Sequence, residues 1–399
     1  MKPPLLLKLE IRKLFGNRFH LCIMILFIIA KISLGFLAVS VPANVIYRMY
    51  MENLSGPLTP EKEAYILQEK EQIESILSQR DQMDQDYREG ILSKDDYRIY
   101  NLQYYEAQEK QETFLRVFEK YQYFTEREDI KIGLQAQLAE AEGKKDAGNV
   151  TRLHILLEQY HTLPEFFDDT GWNILLGLDI VDIVYIMLFI LIVSYFNAEY
   201  SCCIQPLNDT YKLRSRLYLY KTEIVLITTL VFVLLSQSVD FLFANATYGL
   251  PNAQAPMQSL SQFGSYAHAI SLRQSAICIL LMRILGCVCF GLGLTVAAVK
   301  IKKVIPITAL FVFFMFPAFL GVDMLPPMVT NLLFPAILSG TAIFASYQLY
   351  NVLSLSIPSS LATLVFYGIL LVLFLYLMMR VIRSRTGEWR QSRGETSTP

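Results

Sequence analysis

Cysteine, histidine and tryptophan are scarce in this chain of 399 residues, which has six Cys, four His and two Trp. No cysteine lies between residues 42 and 172, so the longest polar stretch has no disulfide framework. The histidines are scattered, without the spacing of metal ligands. There is no G-x-x-x-x-G-K-[ST] phosphate loop and no serine, cysteine or metal constellation of an enzyme. The sequence therefore predicts no enzymatic activity, no cofactor and no ATP hydrolysis of its own.

Hydrophobic residues make up 53% of the chain, and most of them fall in six long apolar stretches. Each stretch is long enough to cross ~30 Å of hydrocarbon as a helix. One stretch precedes the polar insert and five follow it. The sequence thus predicts an all-α, polytopic membrane protein with six transmembrane helices. The predicted spans are Phe19–Val41, Asn173–Ala198, Thr222–Ala244, Ser275–Val299, Val304–Val322 and Ser359–Met379.

Charge is divided unevenly between the insert and the flanks of the spans. Residues 51–170 contain 14 Lys and Arg against 26 Asp and Glu, whereas the flanks of the spans are basic. The loops 246–272 and 323–358 contain no Lys or Arg. Basic residues next to spans stay in the cytoplasm. Six crossings satisfy this rule with both termini cytoplasmic and residues 42–172 extracytoplasmic, as in a multi-pass protein of the cell membrane.

Two alternatives concern the number of crossings. A seventh crossing at Leu332–Leu349 would move the basic cluster that begins at Arg380 outside, so we expect a re-entrant or interfacial segment there. The stretch Ala38–Ala43 loosely resembles a signal-peptide cleavage site. The apolar run before it is too long for a typical signal peptide, which favours an uncleaved first span.

The insert shows helix signals throughout. Thr59-Pro60 and Ser93–Asp96 predict the starts of two long helices, and Thr125–Glu128 predicts the start of a shorter third helix that stops near Gly143. A fourth ends at Pro164. We expect a helical hairpin or coiled-coil bundle, with the aromatic stripe as core and the acidic surface as a solvated face. The stripe consists of Tyr97, Tyr100, Tyr104, Ala107, Gln111, Phe114, Phe118 and Tyr121.

Lys31, Asp179, Asp182 and Arg283 are charged residues that fall inside predicted spans. A lone charge at such a depth costs ~2.5–3.5 kcal/mol, so these groups usually pair or face water. We hypothesise a Lys31–Asp182 pair, with Arg283 as a further member, lining an outer vestibule. Static packing or snorkelling to the surface is the alternative.

Two cytoplasmic segments carry the strongest functional signal. Residues 1–18 place apolar positions on one face and Arg12 and Lys13 elsewhere, as in a helix lying on the membrane surface. Between the second and third spans, an acid ends one span, a short basic helix capped at Asn208, Asp209 or Thr210 follows, and a lysine opens the next span. The residues of this pattern are Glu199, Thr210, Arg214, Leu217 and Lys221.

At this point the sequence resembles the bacterial type-2 permease family of ABC exporters. The resemblance covers most of the chain, including the basic entry helix, the large insert after the first span and the half-crossing before the last. Cys202-Cys203 stand where the family often has a glycine. The resemblance implies a permease dimer, homo- or heteromeric, that works with separate ABC ATPase subunits in the lipid membrane and binds no nucleic acid. It also implies export of a peptide, drug or lipid-like substrate.

In the family, the entry helix and the cytoplasmic loop touch the ATPase. The residues here that the resemblance makes candidates for this coupling are Arg12, Lys13, Glu199, Thr210, Arg214, Leu217 and Lys221. The predicted segments are, in order, the entry helix (1–18), the first span (19–41), the insert (42–172), the five-helix region (173–383) with its coupling loop (199–221) and re-entrant segment (330–350), and a cytoplasmic tail (384–399).

Two other functions fit parts of the sequence. A membrane sensor or assembly scaffold, whose insert binds an extracellular partner, explains the insert but not the cytoplasmic loop. An intramembrane protease of the CAAX type needs paired Glu and His residues within spans. Glu223 is the sole Glu inside the predicted spans, and His20 and His268 lie at their edges. The neighbouring gene would distinguish the exporter from the sensor, since a gene for an ABC ATPase favours the exporter and a gene for a kinase favours the sensor.

Overall fold

The fold is described from a computed structural model, which is almost entirely helical over the residues that it describes. These residues divide into two compact units. We call Met1–Ser40, Ile174–Ala246 and Ala276–Pro399 the membrane unit, and Val41–Asn173 with Thr247–Ser275 the insert unit. The structure describes residues 3–39, 45–144, 150, 153–154, 156–158, 160, 164–177, 183–201, 214–266, 268, 270–301, 303–319, 332–345, 349–352 and 355–392.

Most helices of the membrane unit are apolar on all sides, which is the pattern of a helix surrounded by lipid or by other apolar helices. Two short strands, β3 and β4, pair as an antiparallel hairpin. The elements that lie wholly or mainly in this unit are α1 (Pro3–Phe15), α2 (Arg18–Val39), α8 (Ile183–Ser201), α9 (Arg214–Thr247), α10 (Leu272–Ile301), α11 (Val304–Phe319), α12 (Phe334–Ser339), α13 (Thr341–Ala345), β3 (Leu349–Val352), β4 (Leu355–Pro358) and α14 (Ser359–Ser392).

Within the part of the chain that the structure describes, four helices are long and apolar enough to cross a membrane. These segments are Arg18–Phe36, Arg216–Thr247, Leu272–Ile301 and Ser359–Ile382. Ile183–Ala198 and Val304–Phe313 are apolar but shorter. An all-α membrane protein, the coarser part of the predicted fold, is therefore what the described residues support.

The segment predicted as re-entrant forms two helices of six and five residues, each too short to cross a bilayer. They are separated by Gly340, whose φ is +68°. A Cβ at this position would lie 2.8 Å from the carbonyl oxygen of Ile279 on α10. Glycine is required both for this backbone conformation and for the close approach to α10. The β3–β4 hairpin that follows is the local departure from the all-α prediction.

The insert unit is built mainly from helices. A two-stranded antiparallel pair joins its beginning to its end, with Gly56 opposite Phe166. The elements are α3 (Val45–Leu54), β1 (Gly56–Pro57), α4 (Pro60–Ser78), α5 (Arg80–Arg88), α6 (Lys94–Gly143), β2 (Glu165–Phe166) and α7 (Thr170–Leu175), with 3₁₀ turns at Met257–Ser259 and Ser261–Phe263.

Both predicted caps of the long helices are confirmed. The Thr59 hydroxyl accepts from the Lys62 amide at the start of α4, and the Ser93 hydroxyl accepts from the Asp96 amide at the start of α6. Side-chain hydrogen bonds pair α6 with α4 and α5 in reverse order: Tyr97 with Asp84, Tyr100 with Ile76 and Tyr121 with Glu63. The helices are therefore antiparallel, as the hairpin prediction requires.

The predicted helix start at Thr125–Glu128 is wrong. α6 runs without a break over 50 residues, from Lys94 to Gly143. The Thr125 hydroxyl donates to the Tyr121 carbonyl, four residues earlier, at 2.9 Å. A threonine that back-bonds within a helix imitates a capping signal in the sequence. The predicted end near Gly143 is confirmed. Of the predicted fourth helix, Val150, Leu153, Leu157 and Tyr160 are helical, and residues 151–152, 155 and 159 lie outside the described residues.

The core of the insert unit forms where α3, α4 and α6 meet β2. Val117, Ile66 and Phe166 are fully buried, and Phe124 packs edge-on against Phe166 with ring centroids 4.5 Å apart. Of the predicted seam, Tyr100, Ala107, Phe114 and Tyr121 are buried. Gln111, its polar member, is exposed.

Residues 247–275 also belong to this unit, although the sequence indicated only a loop between two spans. Polar groups hold the segment: the Trp172 indole donates to the Pro251 carbonyl at 2.7 Å, and the Tyr123 hydroxyl donates to the Gln258 carbonyl at 2.8 Å. The Ser259 hydroxyl accepts from the Glu165 amide at 2.9 Å. The insert unit is thus assembled from two separate stretches of the chain.

Candidate functional site

The candidate site lies where α1, α2, α8 and α9 meet in the membrane unit. The chain reverses between α1 and α2 at Gly16-Asn17. The Gly16 amide donates to the Arg12 carbonyl at 2.7 Å, and the Asn17 side chain accepts from the Phe19 amide at 3.0 Å as a cap for α2. A Cβ on Gly16 would come within 2.5 Å of that Arg12 carbonyl oxygen. This tight turn packs α1 beside α2.

Glu10 is the carboxylate of the site and is only 2% exposed. Its Oε1 accepts from the Lys13 ammonium at 2.6 Å, and its Oε2 accepts from the Tyr195 hydroxyl of α8 at 2.6 Å. A buried carboxylate is stable only when it is paired and hydrogen-bonded. Glu10 therefore fixes α1 to α8.

His20 connects the same elements one step further along the chain. The buried ring places Nδ1 at 3.2 Å from the Leu14 carbonyl of α1 and Nε2 at 3.0 Å from the Ser194 hydroxyl of α8. Because a carbonyl only accepts, Nδ1 carries the proton in that contact. One imidazole thus links the end of α1, the start of α2 and the middle of α8.

Lys221 lies near the beginning of α9 and is 1% exposed. Its ammonium is within 6 Å of three aromatic ring centres, at 5.9 Å from Tyr195, 5.6 Å from Phe196 and 5.6 Å from Tyr218. Ring faces stabilise a cation at this range. Tyr195 therefore contacts both Glu10 and Lys221, which joins α1 to the helix that follows the predicted coupling loop. We call Glu10, Lys13, His20, Ser194, Tyr195 and Lys221 the junction.

The junction joins helices through side-chain hydrogen bonds and cation–ring contacts. Among the residues that the structure describes, no group of three or more His, Cys, Asp or Glu side chains is placed to hold a metal ion. The contacts of the junction connect α1 and α2 to α8, and α8 to α9.

The structure brings some of the predicted coupling residues together and leaves others apart or undescribed. Lys13 and Lys221 lie in the junction, Leu217 is buried and Arg12 is exposed. The backbone of both Glu199 and Arg214 is helical. Glu199 lies near the C-terminal end of α8, and Arg214 is the first residue of α9. Thr210 lies outside the described residues. Because Lys221 is buried, its contacts are with neighbouring helices of its own chain.

Intramembrane charges form a second group in the same unit. The Lys31 ammonium of α2 lies 2.9 Å from Asp240 Oδ2 of α9, and the Arg283 guanidinium of α10 donates to the Gln237 carbonyl oxygen at 2.6 Å. Gln237 and Asp240 are three residues apart and share a face of α9. Asp179 and Asp182 lie outside the described residues, so the hypothesised Lys31–Asp182 pair stays a prediction.

Four of these polar residues were missed by sequence reasoning. Asp240 and Gln237 fall inside the third predicted span, where a carboxylate among apolar residues is itself a signal for a buried partner. Glu10 was missed because the basic residues around it dominate the sequence pattern of the entry helix. His20, taken only as a span-edge residue, becomes informative once α1 is placed beside it.

A comparable cluster in the insert unit is structural. The Asp169 carboxylate accepts from Tyr47 at 2.9 Å and from Lys120 at 3.0 Å, and Lys120 also donates to the Phe167 carbonyl at 3.1 Å. Burial raises the pKa of Tyr47, and the nearby Asp169 raises it further. Burial also lowers the pKa of Lys120, against the opposing effect of Asp169.

Comparisons with protein-family models, with curated proteins and with solved structures find no match for this chain.

Proposed function

We propose that this chain is the permease subunit of an ABC exporter, which moves a peptide, drug or lipid-like substrate across the cell membrane with energy from a separate ATPase subunit. The proposal has two supports. The first is the ordered sequence pattern from the basic entry helix to Lys221. The second is the junction, which connects the entry helix to both helices that flank the predicted coupling loop.

The junction is the observation that carries the proposal. An exporter needs a route from a cytoplasmic ATPase into its transmembrane helices. Glu10 and His20 bind α1 to α8, and the aromatic side chains around Lys221 bind α8 to α9. A force on α1 or on residues 199–221 therefore reaches the apolar helices α8 and α9 directly.

The proposed topology counts six crossings. The two shorter apolar helices, α8 and α11, supply the second and fifth crossings beside the four long ones. Both termini are then cytoplasmic, and residues 42–172 are outside. Closure of a dimeric ATPase would press α1 and the 199–221 loop of each permease copy, tilt α8 and α9 and open an outward path.

The experiment that tests the proposal isolates the tagged chain from its native membrane and identifies any ABC ATPase that co-purifies with it. The variant replaces residues 203–212 with a Gly-Ser linker of equal length. We expect the variant to insert into the membrane at the wild-type level and to lose ATPase co-purification by at least tenfold. A matched control neutralises two insert residues, Lys94→Gln and Arg98→Gln, and should retain the ATPase.

A second variant separates binding from energy transfer. Tyr195→Phe removes the hydroxyl that binds Glu10 but keeps the ring beside Lys221, so we expect ATPase binding to persist while substrate-stimulated ATP hydrolysis falls. Undiminished co-purification of the ATPase with the linker variant would overturn the proposal.

A second function rests on a different observation. The insert unit has its own core, and residues 51–170 are strongly acidic. A membrane sensor or assembly scaffold that binds an extracellular partner through this unit accounts for both. A kinase rather than an ATPase recovered by the co-purification would favour this second function.

A further inference from the structure

A groove runs along the membrane unit between α1, α2 and α9, with a volume of about 350 Å³. Its walls are apolar side chains such as Ile11 of α1, Ile28 of α2 and Ile227 of α9. Thr228 and Glu223 are its two polar lining residues. Concave apolar sites of this size hold ligands with a long apolar part.

The depth of the groove matches one leaflet of a bilayer. On α9 it extends from Glu223 to Leu235. Twelve residues at 1.5 Å each give a length of about 18 Å, and half of the ~30 Å hydrocarbon core is ~15 Å. The groove therefore starts beside the surface helix α1 and ends near the bilayer midplane. That is the space which one acyl chain of a phospholipid occupies.

The residues of α1 are arranged in three adjacent stripes. Glu10 and Leu14 form the stripe that is buried against the protein. Leu7, Ile11 and Phe15, spaced four residues apart, form the stripe that lines the groove.

Lys8 and Arg12 form the next stripe and are exposed. Two cations thus lie directly beside the groove, at the level of the membrane surface where lipid phosphates lie. Glu223 opposes them with one carboxylate, which leaves an excess of one positive charge around the groove entrance.

We propose that the groove is a binding site for one anionic phospholipid, taken from the leaflet at which α1 lies. An acyl chain occupies the groove, and the headgroup phosphate lies against Lys8 and Arg12. This site goes beyond the proposed export function and does not depend on it. The bound lipid would hold α1 at a fixed height against α2 and α9.

The test measures retained lipid on the full-length protein by native mass spectrometry, after extraction from nanodiscs of equal phosphatidylglycerol and phosphatidylcholine. We expect about one phosphatidylglycerol per wild-type chain. Ile227→Trp and Ile28→Trp place an indole in the groove from two different walls and should each lower retention at least fivefold. Leu242→Trp is the matched control for Ile227→Trp, because both residues lie on α9 and each is 62% exposed.

Headgroup variants test the charges separately. Lys8→Gln with Arg12→Gln should lower the preference for phosphatidylglycerol over phosphatidylcholine roughly 25-fold, at about fivefold per cation. Lys300 and Lys303 are exposed basic residues elsewhere in the unit. Their replacement by Gln should leave the preference for phosphatidylglycerol unchanged. Glu223→Gln removes the opposing carboxylate and should raise the preference for phosphatidylglycerol.

Three results would overturn the site. The first is a wild-type protein that retains no phospholipid. The second is equal retention by Ile227→Trp, Ile28→Trp and Leu242→Trp. The third is a headgroup preference that is insensitive to Lys8 and Arg12. ATPase co-purification is measured independently, so a failure of either proposal is recognised separately.

Discussion

Each unit of this protein contains a buried lysine–aspartate pair, and the two pairs do different work. In the insert unit, Lys120 and Asp169 are 3.0 Å apart, and Tyr47 and the Phe167 carbonyl complete their surroundings. In the membrane unit, Lys31 and Asp240 are 2.9 Å apart. The first pair and its partners connect three parts of the chain that are far apart in sequence, namely those that contain Tyr47, Lys120 and Asp169. The second pair connects two apolar helices.

The difference teaches where a buried charge is tolerated. A buried ion pair seldom adds net stability over apolar packing, but the loss of one partner is costly. In the insert unit, this cost enforces closure of the fold between α3, α6 and the segment before α7. In the membrane unit, the same cost fixes the register of α2 against α9.

The largest effect is expected for Asp169→Ala. It leaves the Lys120 ammonium buried without its counter-charge, which costs about 3–5 kcal/mol of the free energy of unfolding. The loss is measured by thermal unfolding of the full-length protein, with protease cleavage within α4–α6 as the readout. The neighbouring Asp168→Ala is the control. It removes an ion pair with Arg48, which is 45% exposed, and the acceptor of the Thr170 amide at 3.1 Å, so it should cost about 1–2 kcal/mol. Equal losses for the two variants would contradict the closure argument.

A somewhat smaller effect is expected for Lys31→Ala, which removes a counter-charge of Asp240 within the bilayer. The expected cost is about 2.5–3.5 kcal/mol, seen as a lower melting temperature in detergent and less protein in the membrane. The double variant Lys31→Ala with Asp240→Ala should recover most of the loss. If the double variant is as unstable as Lys31→Ala alone, the pair does not fix α2 against α9.

The smallest effect concerns alkaline pH and the insert cluster. The pKa of Tyr47 is raised in the folded state, whereas in the unfolded state it is about 10. Below pH 10 both states hold the proton and this stabilisation is complete. Above pH 10 the unfolded state loses its proton first, so the contribution of Tyr47 falls by up to about 1.4 kcal/mol per pH unit. Lys120, with its lowered pKa, acts in the opposite sense up to its unfolded pKa near 10.5.

Tyr47→Phe isolates this contribution. The variant should lose about 1 kcal/mol at neutral pH, for one hydrogen bond, and show a shallower fall in unfolding midpoint between pH 10 and 11. Tyr105→Phe, at a residue that is 61% exposed, should match the wild-type slope. An identical alkaline slope in wild type and Tyr47→Phe would rule out this assignment.

Local signals in the sequence were sufficient to predict many of the elements. The caps at Thr59 and Ser93 depend on a side chain and an amide three residues away, so the sequence contains all of the information. Apolar length likewise indicated the membrane helices. Thr125 shows where local reasoning fails, since the same residue pattern serves a cap or the middle of a helix.

Long-range partners could not be predicted from local pattern. The Lys31–Asp240 pair joins residues in different spans, and the Glu10–Tyr195 bond joins residues 185 positions apart. Sequence spacing does not specify which charged residue of one span faces which residue of another. The inclusion of residues 247–275 in the insert unit was missed for the same reason, because its evidence is a set of hydrogen bonds to distant backbone carbonyls.

The continuity of α6 has a consequence for length. Fifty helical residues extend about 75 Å, more than twice the hydrocarbon thickness of a bilayer. A rod of this kind keeps its two ends at a fixed separation, whereas a jointed pair of helices does not. Any molecule that holds one end of α6 is therefore kept at a defined distance from whatever holds the other.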